Sequence, residues 1–405
     1  MMRKTTLLAT IAATLTALAL TGGCGKKKDK DAAGKTPPTT PTPTPTPTPK
    51  PPEPPPPPPK PVTLAGKDLA QRFIDCQAAW SASDKAKFTD CYAKDATSRF
   101  VDSMAPETKG PAAIVENAMA FHAGFPDGKN EPQLVLVNGR NVASVVWFHG
   151  TNTGALNMGP GSMPATGKAA GFNLLLMQTF DDANQVTEEW WVMDDGTFGA
   201  QLGISPKEAP PGRPVATKGM DGAPVIVVAA DSDVEKNNVA MFQKGAETFN
   251  AHDVKAMMAD YADDAIESDQ ASPVDTAGKP GIEAGMKMFV GAFPDGKMTT
   301  LKAWAAGDYV VAVSTFNGTN TGNMGPMKKT NKAVSLTIGE ITKVDGGKIK
   351  QAWRFYNSYA MAMQLGMVKP EMGGAAGSAA GSAAGSAAGS AAGSAAGSAA
   401  GSAAH

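Results

Sequence analysis

Phe125-Pro126-Asp127-Gly128-Lys129 is written a second time as Phe293-Pro294-Asp295-Gly296-Lys297, and Gly150-Thr151-Asn152-Thr153-Gly154 returns as Gly318-Thr319-Asn320-Thr321-Gly322. Further on, Trp190 and Gln201-Leu202-Gly203 recur as Trp353 and Gln364-Leu365-Gly366 with the same internal spacing. Several landmarks repeated in one order mean two copies of one folding unit rather than a single large domain. The copies differ where chemistry could sit: Asp194 becomes Asn357, and Glu188 becomes Gln351.

Working outward from the first copy, Leu69, Phe73, Cys76 and Trp80 fall at helical spacing over 66–82, and Asp84 caps a second short helix running to Tyr92. Residues 96–104 read as a short strand. Pro111 opens a third helix with Ile114, Ala118, Phe121 and Phe125 on one side. Four runs of strand character follow, over 133–137, 142–149, 169–180 and 186–193, and then a last helix carrying Phe198 to Leu202. Helices first and antiparallel strands afterwards indicate an α+β domain. The second copy keeps this order from about 234 to 367, and units of about 140 residues can each bury a sizeable core.

The remaining chain is of low complexity. Residues 1–23 begin with Met1-Met2-Arg3-Lys4, continue as an apolar run and end in small residues before Cys24, as a secretory signal does. With that cysteine the segment resembles a bacterial lipoprotein signal, which implies lipid modification of Cys24 and an envelope location, at the outer membrane facing periplasm or surface. A plain secreted protein or an uncleaved anchor are the alternatives. Residues 24–61 form a Lys-rich and then Pro/Thr-rich tether, a polyproline II spacer because proline fixes φ and lacks an amide donor. The first domain is expected over 62–205 and the second over 232–369. The linker 206–231 contains a Val225–Val228 run able to dock on a domain, and 370–405 is a Gly-Ser-Ala-Ala tail with nothing large to bury. Of the three cysteines, removing Cys24 leaves Cys76 and Cys91 on facing positions of a helical hairpin, either as a disulfide or as two buried thiols.

Lys and Arg number 37 against 38 Asp and Glu, so there is no basic field and nucleic-acid binding is not expected. The four histidines show no paired ligand spacing, so no metal is expected. Gly161 to Lys168 has the wrong spacing for a phosphate loop.

The motifs in series resemble the SnoaL-like polyketide (ester) cyclases, within the nuclear transport factor two-like fold. They are the helix ending in Phe-Pro-Asp, the Gly-Thr-x-Thr-Gly strand end, Pro164-Ala165-Thr166-Gly167-Lys168, the strand with Glu188, Trp190 and Asp194, and the Gln-Leu-Gly helix. The resemblance covers both copies nearly end to end. It implies two tandem cone-shaped domains, each a curved antiparallel sheet wrapped on helices around an apolar pocket. It also implies Asp194 as the acid–base residue of an intramolecular aldol closure, without metal or cofactor. Asn152 and Asn320 stand where many relatives carry histidine.

Alternation places Val186, Glu188, Trp190, Val192 and Asp194 on one face of the last strand, with Ile349, Gln351, Trp353, Phe355 and Asn357 as counterparts. The opposite face carries Trp191 and Met193 in one copy but Lys350 and Arg354 in the other. The Trp190 face is therefore expected to point into the cone. Trp190, Val192, Trp353, Phe355 and Asn357 would line a pocket for a small apolar ligand. Asp194 would sit at its desolvated end as general acid or base. Alternatively Asp194 caps the helix after Asp195-Gly196. Asn357 cannot transfer a proton, so the second domain is expected to be silent. Glu188 is a second candidate carboxylate, and His149 is either a polariser of a ligand carbonyl or a surface imidazole. Two readings stand: a non-catalytic binding or structural lipoprotein, and a cofactor-free cyclase, isomerase or lyase working through Asp194. A third reading pairs the two units face to face as an internal pseudo-dimer.

Overall fold

The structure, a computed structural model, describes residues 62–368 other than 104, 159, 160, 208 and 223. The signal segment, Cys24, the tether and the tail lie outside the described residues.

In the first domain, α1 (Gly66–Ser81) buries Leu69, Phe73, Cys76 and Trp80, the stripe set by helical spacing. Helix α2 (Lys85–Asp90) is capped by the Asp84 carboxylate, which accepts from the Lys87 amide. A disulfide between Cys76 and Cys91 ties the end of this hairpin to α1. After β1 (Tyr92–Phe100) and the short β2 (Thr108–Lys109), α3 (Pro111–Gly124) starts at a proline, whose missing amide costs nothing in a first turn. Then come β3 (Lys129–Asn138), β4 (Asn141–Thr151), a small hairpin of β5 (Leu156–Met158) and β6 (Gly161–Met163), β7 (Ala169–Phe180), β8 (Val186–Val192) and α4 (Asp195–Leu202). The linker contributes β9 (Val225–Val228), which pairs in parallel with β3. The resulting sheet runs β2-β1-β8-β7-β4-β3-β9.

The second domain repeats the design with α5 (Asp233–Asn250), α6 (Val254–Ala259), β10 (Tyr261–Asp269), β11 (Thr276–Ala277), α7 (Lys279–Ala292), β12 (Lys297–Ala306), β13 (Tyr309–Thr319), β14 (Ala333–Asp345), β15 (Lys348–Phe355) and α8 (Ser358–Gln364). Its sheet runs β11-β10-β15-β14-β13-β12, with no strand beyond β12 among the described residues.

Two strands begin earlier than the pattern suggests. β1 starts at Tyr92 rather than 96, because an irregularity between Tyr92 and Thr97 breaks its alternation. β3 starts at Lys129 rather than 133, because Pro132 stands beside a register shift between Pro132 and Leu134 that takes proline into the strand.

The expected direction of the Trp190 face is corrected by the packing. Leu174, Leu176, Tyr92 and Met193 join the helices in the core of the first cone, with Trp191 packed against it. Leu175, Met177 and Val192 face the other way and form one cluster with Val311, Val313, Ile341 and Phe355 of the second domain. Trp190 and Trp353 pack at the margin of that shared cluster. The face is apolar in both copies because sheet packs on sheet there, not because it lines the inside of a cone. The opposite face of β15 carries Arg354, paired with Glu267 and Glu340 inside the second cone, and Lys350, paired with the exposed Asp264.

Candidate functional site

The repeated motifs turn out to hold the frame. Asp127 accepts from the Thr151 amide at 2.7 Å, and Asp295 accepts from Thr319 at 2.7 Å, so Phe-Pro-Asp is bonded to Gly-Thr-Asn-Thr-Gly in each copy. Asn152, fully buried, donates to the carbonyls of Gly124 and Gly154 and accepts from the amide and hydroxyl of Thr166. Asn320 makes the corresponding bonds. A Cβ on Gly154 would stand 1.9 Å from the Ala123 carbonyl oxygen, so a side chain there would push strand end and helix apart. Gln201 pairs with the amide and carbonyl of Gly171, and Gln364 with those of Ser335.

Asp194 lies between the two domains. Its carboxylate accepts from the amides of Gly196 and Thr197, capping α4, and from the amide and hydroxyl of Ser358 at the start of α8. Asn357 answers from the other side. Its oxygen caps α8 through the Ala360 amide, and its nitrogen donates to Asp195 at 2.7 Å and to the Asp102 carbonyl at 3.2 Å. The Asp-to-Asn difference between the copies thus supplies a donor where a second aspartate would face Asp195. Burial raises the Asp195 carboxyl to about 6, against the Asn357 hydrogen bond and with the Asp194 charge adding. Burial likewise raises Asp269 to about 6, opposed by the nearby Arg354 cation.

The cones hold polar groups that alternation misassigned. In the first, Glu189 is buried and accepts from Tyr92 (2.9 Å), Ser98 (2.7 Å), Gln178 (2.6 Å) and the Trp191 indole (2.6 Å). Burial pushes its carboxyl up, and the four hydrogen bonds oppose that. Around it the cone is filled by Phe121, Phe125, Phe148, Phe172 and Phe198, with neighbouring ring centroids 5.2–6.0 Å apart. In the second, the residue matching Glu189 is Ala352 and the charge is Arg354, held by Glu267 at 3.0 Å and Glu340 at 3.3 Å. Burial would lower the guanidinium, but Glu267 and Glu340 outweigh it and hold the cation firmly charged. Glu189 is a residue the sequence reading missed; the signal that finds it is its place on the Trp191–Met193 face of β8, which packs into the first cone.

Glu188 and Trp190 sit together outside the cones. Glu188 accepts from the Trp190 indole at 2.9 Å and from Lys302 of the second domain at 2.6 Å. The Lys302 ammonium lies 4.6 Å from the centre of the Trp190 ring, and the Arg99 guanidinium 5.1 Å. Glu188, Trp190 and Lys302 border a cavity of about 350 Å³, with Asn141, Met177, Leu301 and Trp304 also in its wall. A second, more open cavity of about 470 Å³ lies by Asp295, Lys297 and Gln364. Val192 and Phe355 are buried in the shared core and Trp353 borders it, while Asn357 serves the interface. His149 stacks on Trp147 at 4.0 Å and faces Glu131 at 3.2 Å, apart from the Asp194 cluster. Among the described residues no group of three His, Cys, Asp or Glu side chains is arranged to hold a metal ion.

The model of the SnoaL-like polyketide cyclase family matches residues 68–202 and 240–365, well over half of the chain and once per domain. No curated protein matches. Among solved structures, a SnoaL-like protein of Jannaschia sp. CCS1 is 13% identical over 34% of this chain and 97% of its own, with a TM-score of 0.32. AclR of Streptomyces galilaeus is 19% identical over 33% and 88%, at 0.31. IdmH of Streptomyces antibioticus is 20% identical over 32% and 98%, at 0.29. The chain belongs to the SnoaL-like polyketide cyclase family and carries two tandem units of it.

Proposed function

We propose that this protein is a non-catalytic binding protein of the bacterial envelope, anchored through lipidated Cys24 and carried away from the membrane by the tether 24–61. Its working surface lies outside the cones, where the two units meet. One observation carries this reading: Asp194, the carboxylate the family chemistry would call on, is engaged by four donors at a helix terminus and a domain interface. A general base needs a free lone pair within reach of the proton it removes. The rival reading, a cyclase or isomerase working through Asp194, would have to break this interface at each turnover.

The test is turnover of enolisable polyketide-like esters and ketones by the full chain and by Asp194→Asn. The reading expects both to match buffer, with Asp194→Asn less stable by about 1–3 kcal/mol because its amide nitrogen leaves a buried donor without an acceptor. Turnover abolished by Asp194→Asn would instead establish the enzyme. For the anchor, Cys24→Ser should move the protein from the membrane fraction to the soluble fraction, and retention at the membrane would refute it.

A further inference from the structure

The two copies end their sheets differently. In the first, β9 lies along the outer edge of β3, pairing Val225 to Val228 with Leu134 to Val137, and Ala229 donates to the Val137 carbonyl at 2.8 Å. The matching stretch of the second copy, fixed by the same register shift in each strand, is Lys302 to Ala305 on β12. No strand pairs with it among the described residues.

Three details show that a strand-sized slot remains there. Leu134 and Leu136 are 2% and 0% exposed, while their counterparts Lys302 and Trp304 are only half-buried, and neighbouring Leu301 is 49% exposed. A Cβ on Gly307 would meet Val227 at 2.9 Å, whereas one on its counterpart Gly139 would meet nothing within 4 Å. Phe73, beside β9 in the first copy, is fully buried, and its counterpart Phe242 is half-buried. The cavity lined by Trp190 and Leu301 adjoins this unpaired stretch, with Lys302, Ala303 and Trp304 in its wall. Both ends of the edge are already stoppered by side chains. Asn250 bonds both backbone groups of Met298, and Asn138 donates to the Ala305 carbonyl at 2.9 Å. The stretch between is left for pairing.

We infer that the β12 edge and the adjoining Trp190–Trp304 cavity form a docking site for an extended, uncharged, β-branched segment of a partner protein. That segment adds as a parallel strand along Lys302 to Trp304, short of the Ala305 carbonyl that Asn138 occupies, and places one side chain in the cavity. The internal precedent fixes this chemistry: β9 is Val-Ile-Val-Val, and the interface it completes continues across the same pair of sheets. The inference rests on the reading that the working surface lies between the units.

The probe is a synthetic peptide of residues 222–231, added to the full chain and followed by tryptophan fluorescence and by amide shifts of Lys302 to Ala305. Saturable binding with shifts at β12 is expected. Leu301→Glu, at a half-exposed position, should weaken it about tenfold or more. A peptide with proline at the position of Val227 should not bind, because that residue, two before Ala229, lies in the alternating set whose amides face the paired edge. The inference is overturned by no saturation at millimolar peptide, by shifts confined to β3, or by equal affinity in Leu301→Glu. Concentration-dependent dimers that Leu301→Glu dissolves would also overturn it, assigning the edge to a second copy. Turnover through Asp194 would undo the non-catalytic reading while leaving a positive peptide result intact.

Discussion

The first cone closes around a carboxylate and the second around a guanidinium. Glu189 is satisfied by four neutral donors from three strands of its own sheet, and Arg354 by two carboxylates. The same frame therefore carries opposite charges at its centre. Shared motifs at Phe125, Asn152 and Gln201 maintain the frame, so the interior was free to diverge once it was packed and paired. A duplicated cyclase scaffold need not retain a duplicated chemistry.

The strongest way to break this comparison is to remove the second centre. Arg354→Met leaves Glu267 and Glu340 in a mostly buried site with no cation. Breaking a buried pair from one side costs about 3–5 kcal/mol. Denaturant unfolding should show the second domain losing cooperativity first, and an unchanged midpoint would mean the network contributes nothing. In the first domain, the disulfide closes a loop of 15 residues, which Gly245 and Asp260 cannot do in the second. Cys76→Ser with Cys91→Ser should cost about 3 kcal/mol by loop entropy. A reducing agent should lower the melting temperature of the wild type and leave that of the double variant alone.

Asn357→Asp makes the interface symmetric in sequence and sharpens the comparison further. It sets a third carboxylate against Asp195 and Asp194, at a cost of about 1–3 kcal/mol near neutral pH. Asp195 and Asp269, both held near 6 by burial, set the direction of the pH dependence. A carboxyl raised on folding binds its proton more tightly in the folded state. Its contribution is fully present below about pH 4 and is lost as pH rises through about 6. Melting temperature in the wild type should fall across that window. Asp195→Asn should flatten the fall, and Asn357→Asp should steepen it. A flat wild-type profile would remove both carboxyls from the account.

How much of this was legible depended on whether the signal was local. The α+β order, the duplication and the β9 run are written in periodicity and repetition, which local sterics and burial enforce. The direction of β8 is not. Alternation separates Trp190 from Trp191 but cannot say which side meets helices, and here both sides are covered. The second copy misled because Arg354 looks like a surface residue until Glu267 and Glu340, from two other strands, are brought beside it. Asp194 as a helix cap was visible in Asp194-Asp195-Gly196, but its bonds to Ser358 span 164 residues and no local pattern encodes them.

The smallest expected effect tests the outer face. Glu188→Gln gives the first copy the residue its counterpart Gln351 already has. It removes the carboxylate that joins Lys302 to the Trp190 indole. Burial would raise Glu188, but the Lys302 and Trp190 hydrogen bonds prevail and hold it below its ordinary range. Side-chain exposures of 37% for Glu188 and 40% for Lys302 leave the pair well screened, so the loss should be about 0.2–1 kcal/mol. A depressed carboxyl contributes above its unfolded pKa and ceases to contribute as pH falls through the folded one. The difference between wild type and Glu188→Gln should therefore shrink as pH falls through the lowered folded pKa, and shrink in salt. A penalty that persists in both conditions would mean that Glu188 holds the two units together by packing rather than by charge.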